Sequence, residues 1–105
     1  MQWESEIINK NNVKFDISIW YPENLVWLNN FIIPKNKRKN HLGTIIMKEF
    51  IEWLDINHYD SKLLIADCYG TPEDILKKFY GEFGYTKIEK IKNNTYLIRK
   101  YIDKK

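Results

Sequence analysis

A chain of 105 residues with one cysteine, Cys68, cannot close an internal disulfide and offers no thiolate cluster for a metal. Such sparing use of cysteine fits a reducing compartment, so the expected location is cytoplasmic and no metal is expected. No apolar run approaches the roughly 20 residues of a membrane-spanning helix, and the first residues lack a secretion-signal layout, so no membrane partner is expected. Repeats, low-complexity tracts and linkers are missing, with three prolines and four glycines in all. Excess charge is small as well: 17 Lys and Arg against 14 Asp and Glu leave +3. That bias is too mild to argue for nucleic acid by itself.

What is present is apolar surface. Hydrophobic residues make up 44% and aromatics 15%, which excludes wholesale disorder and gives one core but not two. Residues 1–105 therefore read as a single domain. Trp3 to Ile8 is expected as a first strand, and Asn9 to Asn12 as a turn, since asparagine tolerates left-handed backbone. Val13 to Ile19 alternates apolar and polar, the pattern of a half-buried strand. Tyr21-Pro22-Glu23-Asn24 is a second turn. Leu25 to Ile33 is apolar apart from Asn29 and Asn30, as for a central strand covered on both faces, and the two asparagines point to a bulge or to side chains facing a cleft.

The helix from about Leu42 to Ile56 is apolar on more than one face, leaving Lys48, Glu49, Glu52 and Asp55 for solvent. Lys62 to Cys68 reads as a buried strand parallel to the 25–33 strand. Thr71-Pro72-Glu73-Asp74 opens another helix, with Thr71 as cap, and Gly84 suits its left-handed end. Tyr85 to Ile91 and Thr95 to Tyr101 are strands joined through Lys92-Asn93-Asn94. The expected fold is α/β in the α+β sense: a mixed central sheet flanked by two main helices, in the order β-β-β-α-β-α-β-β.

One stretch concentrates chemistry. After Phe31-Ile32-Ile33-Pro34, four cations (Lys35, Lys37, Arg38, Lys39) stand just before a helix whose first turn holds Gly43 and Thr44. A helix start has backbone N–H groups without intrahelical partners and a partial positive charge, so this bend suits phosphate or pyrophosphate. The alternative on the local pattern alone is an ordinary solvated basic loop, since charge runs are commonly just solvated.

Pro34 followed by Arg38-Lys39-Asn40-His41-Leu42-Gly43-Thr44 resembles the acyl-CoA-binding motif of the GNAT family of N-acetyltransferases: Arg or Gln, two residues, Gly, one residue, then Gly or Ala. Further on, Phe79-Tyr80-Gly81-Glu82-Phe83-Gly84-Tyr85 is similar to that family's aromatic-Tyr, apolar-Gly-aromatic block. The resemblance covers residues 25 to 101 and implies a GNAT-like acyl-CoA N-acyltransferase fold. It implies acetyl transfer from acetyl-CoA, as cosubstrate, to an amine on a protein lysine, a protein N-terminus or a small molecule. By the same resemblance Arg38, Lys39, Asn40, His41, Leu42, Gly43 and Thr44 wrap the CoA pyrophosphate. Ile32 and Ile33 offer backbone to the pantetheine between splayed strands, and Tyr80 protonates the departing thiolate. His41 stands at the first motif glycine, the loop after Pro34 is one residue longer than usual, and the substrate-side helices after the first strand are missing or reduced. In this compactness the chain resembles small phage-encoded members.

For the base, Asn29 and Asn30 stand where the family has its strand acid. Asp67 at the end of the neighbouring strand is one candidate and Asp16 another, each more often a solvated surface acid. Cys68 reads as a small apolar residue, His58 carries no argument, and Trp20 and Trp27 are groove or packing aromatics. Two other function classes stay open. One is a non-catalytic GNAT-fold module that binds CoA or a protein partner. The other, ranked last, is a small basic nucleic-acid binder using the 35–39 run, which lacks interleaved aromatics. A chain this short can also complete its sheet or cleft as a homodimer.

Overall fold

A computed structural model describes residues 6–32, 41–65 and 73–101. They form α1 (Glu6–Lys10), β1 (Lys14–Trp20), a 3-10 turn (Tyr21–Glu23), β2 (Leu25–Ile32), α2 (Leu42–Ile56), β3 (Asp60–Ile65), α3 (Glu73–Gly81), β4 (Lys87–Ile91) and β5 (Asn94–Arg99). The sheet runs β1-β2-β3-β5-β4, with β2 and β3 parallel and the other pairs antiparallel. This is a mixed α+β fold with a five-stranded sheet and three helices. None of the described helices is long and apolar enough to cross a membrane.

The expected first strand is corrected: residues 6–10 are helical, so the order becomes α-β-β-α-β-α-β-β, and Trp3 to Ser5 lie outside the described residues. The reason is tertiary. Ile8 packs against Val13, Leu42 and Ile46, and its carbonyl accepts the Val13 N–H at 3.1 Å, so a single helical turn closes onto the start of α2. A short apolar run cannot be told from a strand by pattern alone.

Both long helices bury the same face of the sheet. Met47, Phe50 and Leu54 of α2 and Tyr80 of α3 join Val26, Leu28, Leu63, Ile65 and Leu97 in one cluster, with Phe15, Ile17 and Ile19 of β1 packed against it. Phe50 is wholly buried, edge-on to Phe15 at 5.0 Å and stacked on Trp53 at 5.9 Å. The opposite face carries Asp16, Ser18, Trp27, Asn29, Lys62, Leu64, Glu89 and Tyr96 by strand alternation, and no described helix packs onto it. The expectation that β2 is covered on both faces therefore does not hold among the described residues. There Lys62 donates to Glu89 at 2.7 Å, with its ammonium 5.1 Å from the Trp27 ring and 4.9 Å from Tyr96.

Asp55 keeps much of its side chain on the solvent side of α2, as expected, and there also takes a bidentate pair from Arg99 at 2.9 and 3.2 Å. Arg99 Nε donates to the Phe83 carbonyl at 2.8 Å, so one guanidinium ties α2, the turn after α3 and β5 together. That turn depends on Gly84, at φ +97, where an added Cβ would meet Arg99 Nε at 3.0 Å. The guanidinium is anchored on two sides and cannot give way cheaply. Gly84→Ala should lower unfolding stability by about 1–3 kcal/mol through left-handed strain and the disturbed Arg99. A fall in urea midpoint at unchanged slope would report it.

Candidate functional site

The parallel pair β2–β3 holds register only from Leu25↔Asp60 to Leu28↔Leu63. Beyond it the strands part, each keeping its outer neighbour: β2 stays on β1 to Ile32↔Lys14, and β3 stays on β5 to Ile65↔Thr95. The cause is local to β2. Its register with β1 shifts between Asp16 and Ile17, leaving Asn29 as an extra residue between Leu28↔Ile17 and Asn30↔Asp16. Such a bulge bends and overtwists the strand that carries it. Both asparagines thereby face the open side, where Asn29 Nδ2 donates to Ser18 Oγ at 2.7 Å and Asn30 Nδ2 to Asp16 Oδ2 at 3.1 Å. The inner backbone groups of residues 29–32 have no ladder partner across the fork among the described residues.

The start of α2 lies against the same arm. Leu42 and Ile46 are buried with Val13 and pack on Phe31 and Phe15, which pins the first turn beside the end of β2. His41 precedes it in left-handed backbone, φ 55 and ψ 24, with no side-chain cap. The first intrahelical bond is Ile45 N–H to the His41 carbonyl at 3.2 Å, so the N–H groups of Leu42, Gly43 and Thr44 have no intrahelical acceptor. The first turn also carries no acidic side chain, so nothing there offsets the positive end of the helix. His41 thus takes the conformation that a glycine adopts without strain.

Tyr80 sits near the end of α3, its ring packed edge-on to Phe79 at 5.1 Å and Tyr85 at 5.8 Å, in the cluster that holds Leu28, Leu63 and Ile65 at the foot of the fork. Burial pushes its pKa from 10.0 up to about 12, so the phenol keeps its proton throughout the neutral range. Its hydroxyl has no hydrogen-bond partner among the described residues. Tyr85 contrasts: its hydroxyl donates to the buried Ser61 Oγ at 2.7 Å, while burial raises its pKa and that bond lowers it by less.

Of the residues singled out in the sequence, Ile32, His41, Leu42, Gly43 and Thr44 gather at the β2–α2 junction, with Tyr80 in the core below. Ile33, Arg38, Lys39, Asn40, Asp67 and Cys68 lie outside the described residues, as do Lys35 and Lys37. No group of three metal-binding side chains occurs among the described residues. The Asn30–Asp16 pair has no local signal in the sequence, because only the bulged register brings the two opposite each other. Comparison with known proteins found no matching family model, curated protein or solved structure.

Two expected outcomes follow from this geometry. His41→Gly should raise stability by about 0.5–1 kcal/mol, because the left-handed strain removed exceeds the entropy glycine adds to the unfolded chain; a lower denaturation midpoint would contradict it. Tyr80 and Tyr85 both have raised folded-state pKa values, so their contribution is intact below pH 10; that of Tyr80 is lost as pH climbs through about 12, and that of Tyr85, raised further by burial, at still higher pH. For Tyr80, two units at about 1.4 kcal/mol each put that loss near 3 kcal/mol. Denaturant melts between pH 9 and 12 read it directly, and Tyr80→Phe should flatten the alkaline fall.

Proposed function

We propose that this chain is an N-acetyltransferase of the GNAT kind, moving an acetyl group from acetyl-CoA to a primary amine. The observation that carries the reading is the meeting, on one arm of β2, of an opened parallel sheet and an uncapped, acid-free helix start. A CoA thioester asks for both features. Its pyrophosphate needs clustered N–H donors, which Leu42, Gly43 and Thr44 would supply, with Arg38, Lys39 and Asn40 adding to them. Its pantetheine is a string of amides that pairs with extended backbone, and the inner backbone groups of residues 29–32 have no ladder partner across the fork among the described residues. Ile32 and Ile33 would give the main-chain groups nearest the helix.

Acetyl-CoA supplies an activated acyl group whose leaving atom is a thiolate sulfur. The residues of this chain would hold the thioester between the arms and handle protons. Tyr80, protonated at neutral pH and packed beneath the fork, would share its phenolic hydrogen with the departing sulfur. The acceptor nitrogen must shed a proton before it attacks, and Asp67, just past β3, would receive it in this reading. A non-catalytic CoA-binding or protein-interaction module is the second reading, favoured by the two amides, Asn29 and Asn30, where β2 could have carried an acid.

Titration calorimetry with acetyl-CoA and with CoA should give single-site binding to the wild type. Tyr80→Phe removes a hydroxyl without a described partner, so it should keep that affinity and lose about 10²–10⁴-fold in turnover. Absence of binding to either ligand ends both readings. Binding without transfer to any of a panel of amines selects the second, and full turnover in Tyr80→Phe removes this tyrosine from the chemistry.

A further inference from the structure

We propose that Asp16, held by Asn30, is the subsite that recruits the acceptor's ammonium on the open face of the sheet, so that the acceptor is a primary alkylammonium. The inference rests on the transferase reading and adds where the second substrate is held. Amines arrive at neutral pH as cations, so an acceptor site needs a negative charge that is fixed in place but not neutralised. The open face carries three described carboxylates, and two are committed to cations. Asp60 accepts from Lys100 at 3.3 Å and from the Tyr101 N–H at 2.7 Å, and Glu89 accepts from Lys62 at 2.7 Å.

Asp16 differs. Its Oδ2 accepts from the amide of Asn30 at 3.1 Å, an interaction that orients the carboxylate and leaves its charge whole. Lys14, two residues along the same strand face, forms no ion pair with it among the described residues. Asn30 is the second residue beyond the last β2–β3 pair, so the carboxylate stands beside the opened arm, on the face no described helix covers. Ser18 and Asn29 form the adjacent polar pair at 2.7 Å, and Trp27, Ser18's register partner, lies next along the face. One strand spacing, about 4.8 Å, separates Asp16 from the arm itself. Bound to Asn30 on that face, the carboxylate is placed to hold the acceptor's charge, while the proton of the attacking nitrogen goes to another group. Asp16 is therefore a positioning residue for the acceptor.

The test uses the full chain with acetyl-CoA, whose binding is first verified by calorimetry. Initial rates are measured with 1,5-diaminopentane and with a lysine-containing peptide, which distinguish a free from a peptide-borne amine. Asp16→Asn should leave acetyl-CoA affinity and kcat near wild type and raise the amine KM by about five- to tenfold, the range of an exposed, steadied ion pair. Asn30→Ala should move KM the same way by less, and the remote Glu52→Gln should not move it. The side-chain amide resonances of Asn30 should shift when 1,5-diaminopentane is added to the wild type and stay still in Asp16→Asn. An unchanged KM, or a loss confined to kcat, overturns the assignment with the transferase reading intact. A wild type that neither binds acetyl-CoA nor acetylates either amine overturns the reading beneath it.

Discussion

Leu28 and Phe31 both enter the core, three residues apart on a strand whose side chains alternate. An ideal strand cannot do this, and the extra residue between them is what permits it. Phe31 must face inward because it meets Phe15 edge-on at 5.1 Å and closes the floor under Leu42 and Ile46. Leu28 must face inward because it completes the layer with Val26, Leu63 and Leu97. The bulge at Asn29 reconciles the two demands, and its price is the parallel ladder: past Leu28↔Leu63, β2 follows β1 while β3 follows β5. Core packing and the opening of the sheet are one structural event.

The opened arm and the helix start depart from local rules at the same place. Helices usually begin with a Ser, Thr, Asp or Asn cap and acids in the first turn. The start of α2 has neither, and it holds a histidine in left-handed backbone. Inner-edge amides of a central strand usually pair, and those of residues 29–32 do not pair with β3. Departures from local consistency gather where a chain has been shaped for something besides stability. Here both leave hydrogen-bonding groups without a partner among the described residues, and both are backed by the Val13, Leu42, Ile46 cluster. Rigid backing matters, since donors that must be reorganised on binding lose much of their value.

How much of this the residues announce depends on whether the signal is local. The bounds of α2, Leu42 to Ile56, and the parallel pairing of the strands around it follow from apolar periodicity and element order, which are near-neighbour properties. The left-handed Asn12 and Asn24 and the turn at Gly84 follow from backbone chemistry in the same way. The polar pair Asn29-Asn30 in an apolar strand is readable as an irregularity, although its consequence, a register shift opposite Asp16, is not. Residues 6–10 mislead because their partner is more than thirty residues away in α2. Asp55 is readable as a surface acid, but its partner Arg99, 44 positions further on, is not. Long-range pairing is what periodicity cannot see.

The two buried tyrosines, Tyr80 and Tyr85, share a cluster but differ at their hydroxyls. Their rings touch at 5.8 Å and both belong to the same cluster, so apolar burial alone does not distinguish them. Their hydroxyls do. Tyr85 is tied to Ser61, a side chain with no exposed surface, and each satisfies the other in a region where an unpaired group would cost about 1–3 kcal/mol. Tyr80 has no such tether among the described residues. In the transferase reading proposed above, a ring fixed by the core whose hydroxyl has no partner among the described residues would suit a proton donor: position would come from the core, and the hydrogen bond would go to the departing sulfur.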